Sequence, residues 1–196
     1  MSEWDRGKDK SGRVRVSDLA DPVDMFLATG CRPGEIFGIE WEQIDLNSTP
    51  PILNLQNTMA KDRQGRWVVQ RQTKGKKGRR LRLPDFAVQM LIRRRVQALT
   101  KMVFPSSTGT PRIPDNFRVQ WHAALKGTRF EGHVPREFRS TVATFVRDGE
   151  GIEAAQHQLG HSSLTTTEGH YTSPVVEGPD LTQILEQFNV KAVSKR

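Results

Sequence analysis

Two arginines, a histidine and a tyrosine follow one another in an order that suits chemistry on a phosphodiester. Arg32 lies in TGCRPGE, Arg139 in VPREFRSTVAT, His161 in QLGHSS, and Tyr171 ten residues after that histidine. An arginine binds nonbridging phosphate oxygens through its planar guanidinium, and a histidine donates a hydrogen bond or transfers a proton. A tyrosine oxygen that attacks phosphorus forms a covalent link, which divides one difficult step into two easier ones. The set therefore indicates phosphodiester cleavage with a tyrosine nucleophile.

Tyr171 is the only tyrosine in the chain, so the choice of nucleophile is unambiguous. A phenol has an ordinary pKa of about 10 and is mostly protonated at neutral pH. Nearby arginines would favour the phenolate, as any opposite charge does. Each residue taken alone has an ordinary structural explanation, such as packing for a tyrosine at a helix end. The ordered set is what favours chemistry.

The composition favours a nucleic-acid partner. The formal charge is +8 and the pI about 10.1, although a solvated basic surface would give the same balance. Cys31 is the only cysteine, which excludes a disulfide within the chain and fits a reducing compartment. Residues 1–16 lack the apolar run of a signal peptide, and no apolar stretch approaches membrane length. We expect a soluble protein of the cytoplasm.

The elements that position these residues are predicted to be mainly helical, in an α+β fold of one domain. Apolar spacing and helix start signals predict six helices. They cover residues 17–28, 33–41, 83–99, 114–125, 136–147 and 152–159. Three β-prone stretches separated by glycines predict a three-stranded antiparallel meander. These strands cover residues 52–58, 66–72 and 79–83.

At these residues the chain resembles the tyrosine recombinases, also called the phage integrase family. TGCRPGEIFGIEWEQIDL looks like the first arginine motif of the family, and REFRSTVAT looks like its second box. QLGHSS followed by Tyr171 looks like the end of that box. The motifs come in the family's order over residues 21–171. The resemblance implies a helical catalytic domain with a small antiparallel sheet.

The resemblance also implies a mechanism. Arg32, Arg139 and His161 hold the scissile phosphate, and Tyr171 attacks in line to form a 3′-phosphotyrosyl bond and free a 5′-hydroxyl. The 5′-hydroxyl of a partner strand then attacks, and no ATP is needed because the ester keeps the bond energy. No cofactor or metal is expected, since arginines can neutralise the developing charge.

Arg136 departs from the family's pattern. The second box usually reads His-x-x-Arg, and Arg136 stands at the histidine position when Arg139 takes the second arginine. Arg136 can donate hydrogen bonds to the phosphate, but an arginine cannot accept a proton. His133 lies three residues early and would need a different backbone path. Water or another group would then serve as the base.

The basic run QRQTKGKKGRRLRLP is expected to contact DNA, as a charge run with seven Lys or Arg residues between positions 71 and 82. In the family, a lysine in this hairpin protonates the departing 5′ oxygen. Lys74, in QTKG, matches that lysine best, and Lys76 is the alternative. Four neighbouring residues are predicted to bind the DNA backbone: Lys76, Lys77, Arg79 and Arg80.

The predicted organisation is a flexible segment over residues 1–16, an integrase catalytic domain over 17–174 and a tail over 175–196. The first arginine motif comes too early for the N-terminal DNA-binding domains of the family, so we expect an isolated catalytic domain, natural or cut out. The implied partners are double-stranded DNA attachment sites and accessory DNA-bending or directionality proteins. The full-length enzyme is expected to be a tetramer on DNA and this domain a monomer, encoded by a phage or mobile element in a bacterial cell.

The tail is predicted to form a short amphipathic helix. Asp180 is a suitable N-cap, and four apolar side chains fall on one face: Leu181, Ile184, Leu185 and Phe188. Such a helix must bury that stripe. It can pack on its own domain, or pass to a neighbour in a ring, as the resemblance suggests. If it is exchanged, deleting residues 179–196 should spare the fold.

Two other classes of protein fit parts of the pattern. One is a non-catalytic DNA-binding fragment or regulator of an integrase, which Arg136 favours and the otherwise complete set of Arg, Lys, His and Tyr disfavours. The other is a type IB topoisomerase-like enzyme that nicks and closes DNA alone. LGHSS and TGCRPGE favour an integrase over the second class.

Overall fold

The computed structural model describes residues 18–71, 78–160 and 176–189. Its helices are α1 (Ala20–Thr29), α2 (Pro33–Phe37), α3 (Asp85–Val96), α4 (Pro114–Leu125), α5 (Glu137–Leu159) and α6 (Thr182–Leu185). Its strands are β1 (Ile44–Asp45), β2 (Ile52–Leu55), β3 (Asn57–Lys61), β4 (Trp67–Arg71), β5 (Arg79–Arg82) and β6 (Val176–Glu177). Short 3-10 turns cover Trp41–Gln43 and Glu186–Phe188. Within the described ranges, no helix is long and apolar enough to cross a membrane.

The predicted α+β class, mainly helical, is confirmed, and the helices lie close to their predicted places. The helix over 114–125 has the predicted bounds, because Pro114 starts it and apolar side chains repeat along one face. The second predicted helix is shorter, since α2 ends at Phe37. The two helices predicted over 136–147 and 152–159 form the single element α5, which bends at Gly151, where φ is 88° and ψ is 170°.

The predicted antiparallel pairing of short strands is confirmed, but the predicted meander is wrong in its strand order. The stretch over residues 52–61 divides into β2 and β3, which belong to two separate sheets: β2 pairs with β5, and β3 pairs with β4. β1 and β6 extend the sheet of β2 and β5, and β6 runs parallel to β5. Leu53 and Leu81 are direct partners and both are fully buried, so this pairing puts apolar side chains into the core.

An aromatic cluster ties the helices of the core together. The ring of Phe26 in α1 stacks on Phe138 in α5 at 5.6 Å, and Phe37 at the end of α2 contacts Phe117 in α4 at 5.0 Å. Trp121 meets Phe138 edge to face at 5.2 Å. Such pairs contribute about 0.5–1.5 kcal/mol each beyond their buried area. The start of α5, including the residue before Arg139, is therefore held rigidly against α1 and α4.

The C-terminal tail packs on its own domain, which is the first of the two predicted alternatives. Leu181 and Leu185 are buried in one apolar cluster with Val142 and Val146 of α5. The ring of Phe188 lies 4.6 Å from a phenyl ring of the same helix. The tail thus covers the face of α5 that would otherwise be exposed, so its removal should destabilise the fold.

We predict that Leu185→Ala lowers the free energy of unfolding by about 2–5 kcal/mol, because it opens a cavity in this cluster. Urea denaturation would measure the change. Leu99→Ala is the matched control, since Leu99 is 98% exposed and its truncation should change stability by less than about 0.5 kcal/mol. Equal denaturation midpoints for wild type and Leu185→Ala would contradict docking of the tail on its own domain.

Candidate active site

Arg32 lies in the short connection between α1 and α2, at the N-cap of α2. Its backbone N–H donates a 2.7 Å hydrogen bond to Glu35 Oε2, which is the reciprocal half of a capping box. Its Nη1 lies 3.4 Å from Glu35 Oε1. The Arg32 side chain is 57% exposed, whereas that of Glu35 is 8% exposed. The base of the side chain is therefore fixed while the guanidinium faces solvent.

Arg139 joins the loop before Arg32 to the far end of α5. Its Nη1 donates to the Gly30 carbonyl at 2.9 Å, and its Nη2 donates to the Leu159 carbonyl at 2.7 Å. Gly30 has φ 64°, and a Cβ there would come within 2.7 Å of the Leu159 side chain. A glycine is thus required both for the turn and for the close approach of α1 to α5. The structure brings Arg32 and Arg139, far apart in sequence, to one site.

Arg79, predicted to contact DNA, is instead buried beneath this site. Its side chain is 5% exposed and its Nη2 lies 2.9 Å from Glu35 Oε2. Its Nη1 donates to the Gln158 carbonyl at 3.1 Å. Glu35 therefore sits between two arginines, one exposed and one buried. Arg80, the next residue, is half-buried in β5 and pairs with Asn54 across the sheet.

The electrostatics of the site favour an anion. Burial, and then the charges of Arg32 and Arg79, lower the pKa of Arg139 to about 10. Three guanidinium groups thus lie close together, and the Glu35 carboxylate lies between those of Arg32 and Arg79. A bound phosphate would relieve the repulsion between the arginines, because an opposite charge favours the charged form of each.

Cys31 lies beside the same arginines but is not suited to act as a nucleophile. Burial raises the pKa of its thiol to about 11, although Arg79 acts in the opposite direction. Its Sγ lies 3.8 Å from Arg79 Nη2. Because the thiolate is the reactive form, this thiol is expected to be inert at neutral pH.

Arg136 is the N-cap residue of α5 and is exposed, one helical turn before Arg139. His133, the other candidate for the position of Arg136, is bound elsewhere. Its Nδ1 forms a 2.7 Å hydrogen bond with Glu137 Oε2 at the surface, and its carbonyl accepts a 2.8 Å hydrogen bond from Trp121 Nε1. Arg136 is thus at the surface one turn before Arg139, while His133 is held by Glu137 and Trp121.

Five of the predicted site residues lie outside the described residues: Lys74, Lys76, Lys77, His161 and Tyr171. The segments that flank them are described. β5 begins at Arg79, five residues after Lys74, and α5 ends at Gly160, directly before His161. Gly160 has φ 65° and caps the helix through a 2.9 Å hydrogen bond to the Gln156 carbonyl.

Comparison with known proteins identifies the family. Residues 10–177 match the phage integrase family. The chain belongs to the phage integrase family. The tyrosine recombinase resemblance is thereby confirmed over most of the chain. A comparison with curated protein sequences found no match.

Solved structures of integrases and recombinases share the fold. The Tn1549 transposon integrase bound to circular intermediate DNA has a TM-score of 0.60 at 14% identity, covering 78% of this chain and 56% of that chain. The XerA recombinase has a TM-score of 0.55 at 21% identity, covering 89% and 54%. A lambda integrase dimer bound to a COC′ core site has a TM-score of 0.50 at 21% identity, covering 77% and 52%. The chain spans little more than half the length of each.

Two buried polar residues at this site, Glu35 and Gln158, were not predicted from the sequence to belong to it. Glu35 is the carboxylate between Arg32 and Arg79, and its signal was the spacing Arg-x-x-Glu of a capping box. Gln158, 1% exposed, donates from Nε2 to the Thr29 carbonyl at 3.2 Å. No local pattern indicates Gln158, because its partners come from distant parts of the chain.

Proposed function

We propose that this chain is the catalytic domain of a tyrosine site-specific recombinase, which cuts and rejoins DNA through a 3′-phosphotyrosyl intermediate. The main support is the convergence of Arg32 and Arg139 on one loop. Arg139 donates to the Gly30 carbonyl, two residues before Arg32, and the pKa of Arg139 is lowered by burial and by the charge of Arg32. Two arginines held so close, with Glu35 as the carboxylate that contacts Arg32, form a receptor for a phosphodiester anion.

The arginines supply the transition-state contacts in this proposal. Arg32 reaches the phosphate from solvent, and Arg139 approaches from α5 with its remaining N–H groups. Arg136 adds a third donor at the start of α5, and His161 follows the cap of the same helix. Charge that develops on the nonbridging oxygens is stabilised by these preorganised donors, so the chemistry needs no metal.

Tyr171 is the proposed nucleophile and Lys74 the proposed general acid. The phenolic oxygen attacks phosphorus, the bond to the 5′ oxygen breaks, and Lys74 gives its proton to that oxygen. A 5′-hydroxyl then attacks the phosphotyrosine and gives its proton back to Lys74, the bond to the Tyr171 oxygen breaks, and Tyr171 regains its proton as the strand is resealed. Because Arg136 cannot accept a proton, water or another group takes the proton of Tyr171.

The proposed substrate is a double-stranded DNA attachment site. The Tn1549 and lambda integrases have been solved in complex with DNA, and lambda integrase as a tetramer on a Holliday junction. We infer a tetramer on DNA for the full-length enzyme, and a monomer with weak, salt-dependent DNA binding for this domain. A bacterial cytoplasm, and accessory DNA-bending or directionality proteins, belong to the same proposal.

A nicked suicide duplex that carries the attachment site tests the proposed function. Loss of the short fragment beyond the nick prevents religation, so a covalent protein–DNA adduct should accumulate on a denaturing gel. DNA binding without any adduct would favour a non-catalytic regulator. Relaxation of supercoiled plasmid without recombinant products would favour a topoisomerase-like enzyme.

We predict that Lys74→Ala slows cleavage of a normal 5′-oxygen leaving group by about 10²-fold, on the scale of general acid catalysis. The same variant should cleave a 5′-bridging phosphorothiolate at close to the wild-type rate, because sulfur leaves without a proton. Single-turnover cleavage of the two duplexes would measure the difference. Equal losses on both duplexes would contradict the role of Lys74, and Lys76→Ala, the comparison variant, would then be expected to show the selective loss.

A further inference from the structure

We propose that Arg79 is a positioning residue that holds the segments of the active site in register, an inference that rests on the proposed function. Arg79 does not face the phosphate, since its side chain is 5% exposed and its charge is paired with Glu35. It acts through the residues it binds. The described segments that bear Arg32 and Arg139 are joined to Arg79 or to one of its immediate partners, and the other proposed catalytic residues lie in the chain segments next to it.

The first connection leads to Arg32. Glu35 Oε2 receives both Arg79 Nη2 at 2.9 Å and the backbone N–H of Arg32 at 2.7 Å. The position of Arg32 therefore depends on the orientation of the Glu35 carboxylate. A buried carboxylate is oriented by its cation, so Arg79 fixes the N-cap of α2 indirectly.

The second connection leads to Arg139 and to the end of α5. Arg79 Nη1 donates to the carbonyl of Gln158, and Arg139 Nη2 donates to the carbonyl of Leu159. The two arginines thus bind consecutive carbonyls of the last turn of α5, which have no helical partner of their own. A Cβ on Gly160 would come within 2.6 Å of Arg79 Cδ, so the helix end lies directly against the Arg79 side chain.

The third connection is through the backbone of β5. Arg79 is the first residue of β5, and it pairs with Leu55 of β2 on one side and Val176 of β6 on the other. The lysine-bearing segment leads into β5, and the segment with His161 and Tyr171 leads into β6. Arg79 is thus at the point where both segments enter the sheet.

The geometry of this place suits arginine better than lysine. Its planar fork binds a carboxylate and a backbone carbonyl at once, whereas a lysine has a shorter reach and a single nitrogen. Its positive charge also faces Arg139, whose pKa it helps to lower. A neutral side chain of equal length would leave Glu35 without its buried cation, so the cap of α2 would loosen.

The test uses Arg79→Met and Arg79→Lys with two measurements, one of which is independent of catalysis. The first is single-turnover cleavage of the nicked suicide duplex at saturating DNA, together with the Kd for that duplex. The expected result for Arg79→Met is cleavage slowed by about 10²-fold, the scale of a misplacement of about 1 Å, with the Kd changed by less than about twofold. Arg79→Lys should be intermediate.

The second measurement is the rate at which a thiol reagent labels Cys31, which is the only cysteine of the chain and lies against Arg79. Labelling should be about tenfold faster or more in Arg79→Met, because the loop between α1 and α2 opens more often. Removal of the Arg79 charge alone would disfavour the thiolate and slow labelling. Faster labelling therefore reports looser packing.

Arg94→Met and Arg94→Lys are the matched controls. Arg94 is also largely buried, with Nη1 at 2.8 Å from Asp18 and Nε donating to the Val103 carbonyl at 3.1 Å. These variants test the loss of a buried arginine away from the site, and should leave both cleavage and Cys31 labelling unchanged in the folded protein.

Wild-type labelling and cleavage rates in a folded Arg79→Met or Arg79→Lys variant would overturn the proposal. Equal losses in the Arg79 and Arg94 variants would overturn it too, because the effect would then be one of general stability. If circular dichroism shows that Arg79→Met does not fold, Arg79→Lys decides between these results. If the wild-type protein forms no adduct, the proposed recombinase function is contradicted. The labelling of Cys31 would still support or overturn the positioning role of Arg79.

Discussion

Tyr171→Phe should abolish the covalent protein–DNA adduct while leaving the affinity for the duplex within about twofold of wild type. The substitution removes only the phenolic oxygen, so the attack on phosphorus is lost and the arginine contacts to the phosphate are kept. The adduct would be measured on a denaturing gel with the nicked suicide duplex, and the affinity by fluorescence anisotropy at fixed salt.

Because the chain contains no other tyrosine, no neighbouring phenol can substitute. Phe145→Leu, on the outer face of α5 against the tail, provides a control for aromatic changes that leave the arginines alone. Its adduct yield per folded molecule should equal that of wild type. A covalent adduct that persists in Tyr171→Phe would remove Tyr171 from the mechanism.

Arg139→Ala should slow cleavage by about 10²-fold or more, the usual scale for losing one charged transition-state contact. It should also lower stability, because the carbonyls of Gly30 and Leu159 lose their donors at an expected cost of about 1–3 kcal/mol. Arg32→Ala should slow cleavage to a similar extent with little loss of stability, since the Arg32 guanidinium is mostly exposed. Single-turnover rates and urea denaturation of both variants would separate the two effects.

Arg147→Ala is the control on the same helix, because Arg147 is exposed and pairs with the adjacent Asp148 at 2.8 Å. Its cleavage rate should be that of wild type. Arg139→Lys should recover part of the lost rate, since it restores the charge and not the two-pronged geometry. Wild-type cleavage by Arg139→Ala would mean that the guanidinium serves only the packing of α5 on the loop after α1.

The parts of the fold that sequence predicted well are those set by local signals. The helix over 114–125 was predicted with its observed bounds because Pro114 marks its start and Phe117, Trp121 and Leu125 repeat at helical spacing. Arg139 was correctly placed on a helix for a similar reason. The class of fold followed from the same periodicities together with the family motifs.

The parts that sequence did not predict depend on distant partners. The predicted strand order was wrong because β2 pairs with β5, although β3 and β4 lie between them in the sequence. The local alternation of apolar and polar residues contains no information on that pairing. The burial of Arg79 was equally hidden in a run of basic residues, since its partner Glu35 lies in another motif. The tail offered two alternatives, because an apolar stripe indicates burial without indicating against which surface.

The measurement that tests the central claim most directly is the chemical identity of the protein–DNA link. The adduct from the suicide duplex would be digested with protease and nuclease, and the nucleotide-bearing peptide sequenced by mass spectrometry. A phosphodiester between the Tyr171 oxygen and the 3′ end of the cleaved strand is the predicted result. A link to another residue, or to a 5′ phosphate, would contradict the account of this chain as the catalytic domain of a tyrosine recombinase.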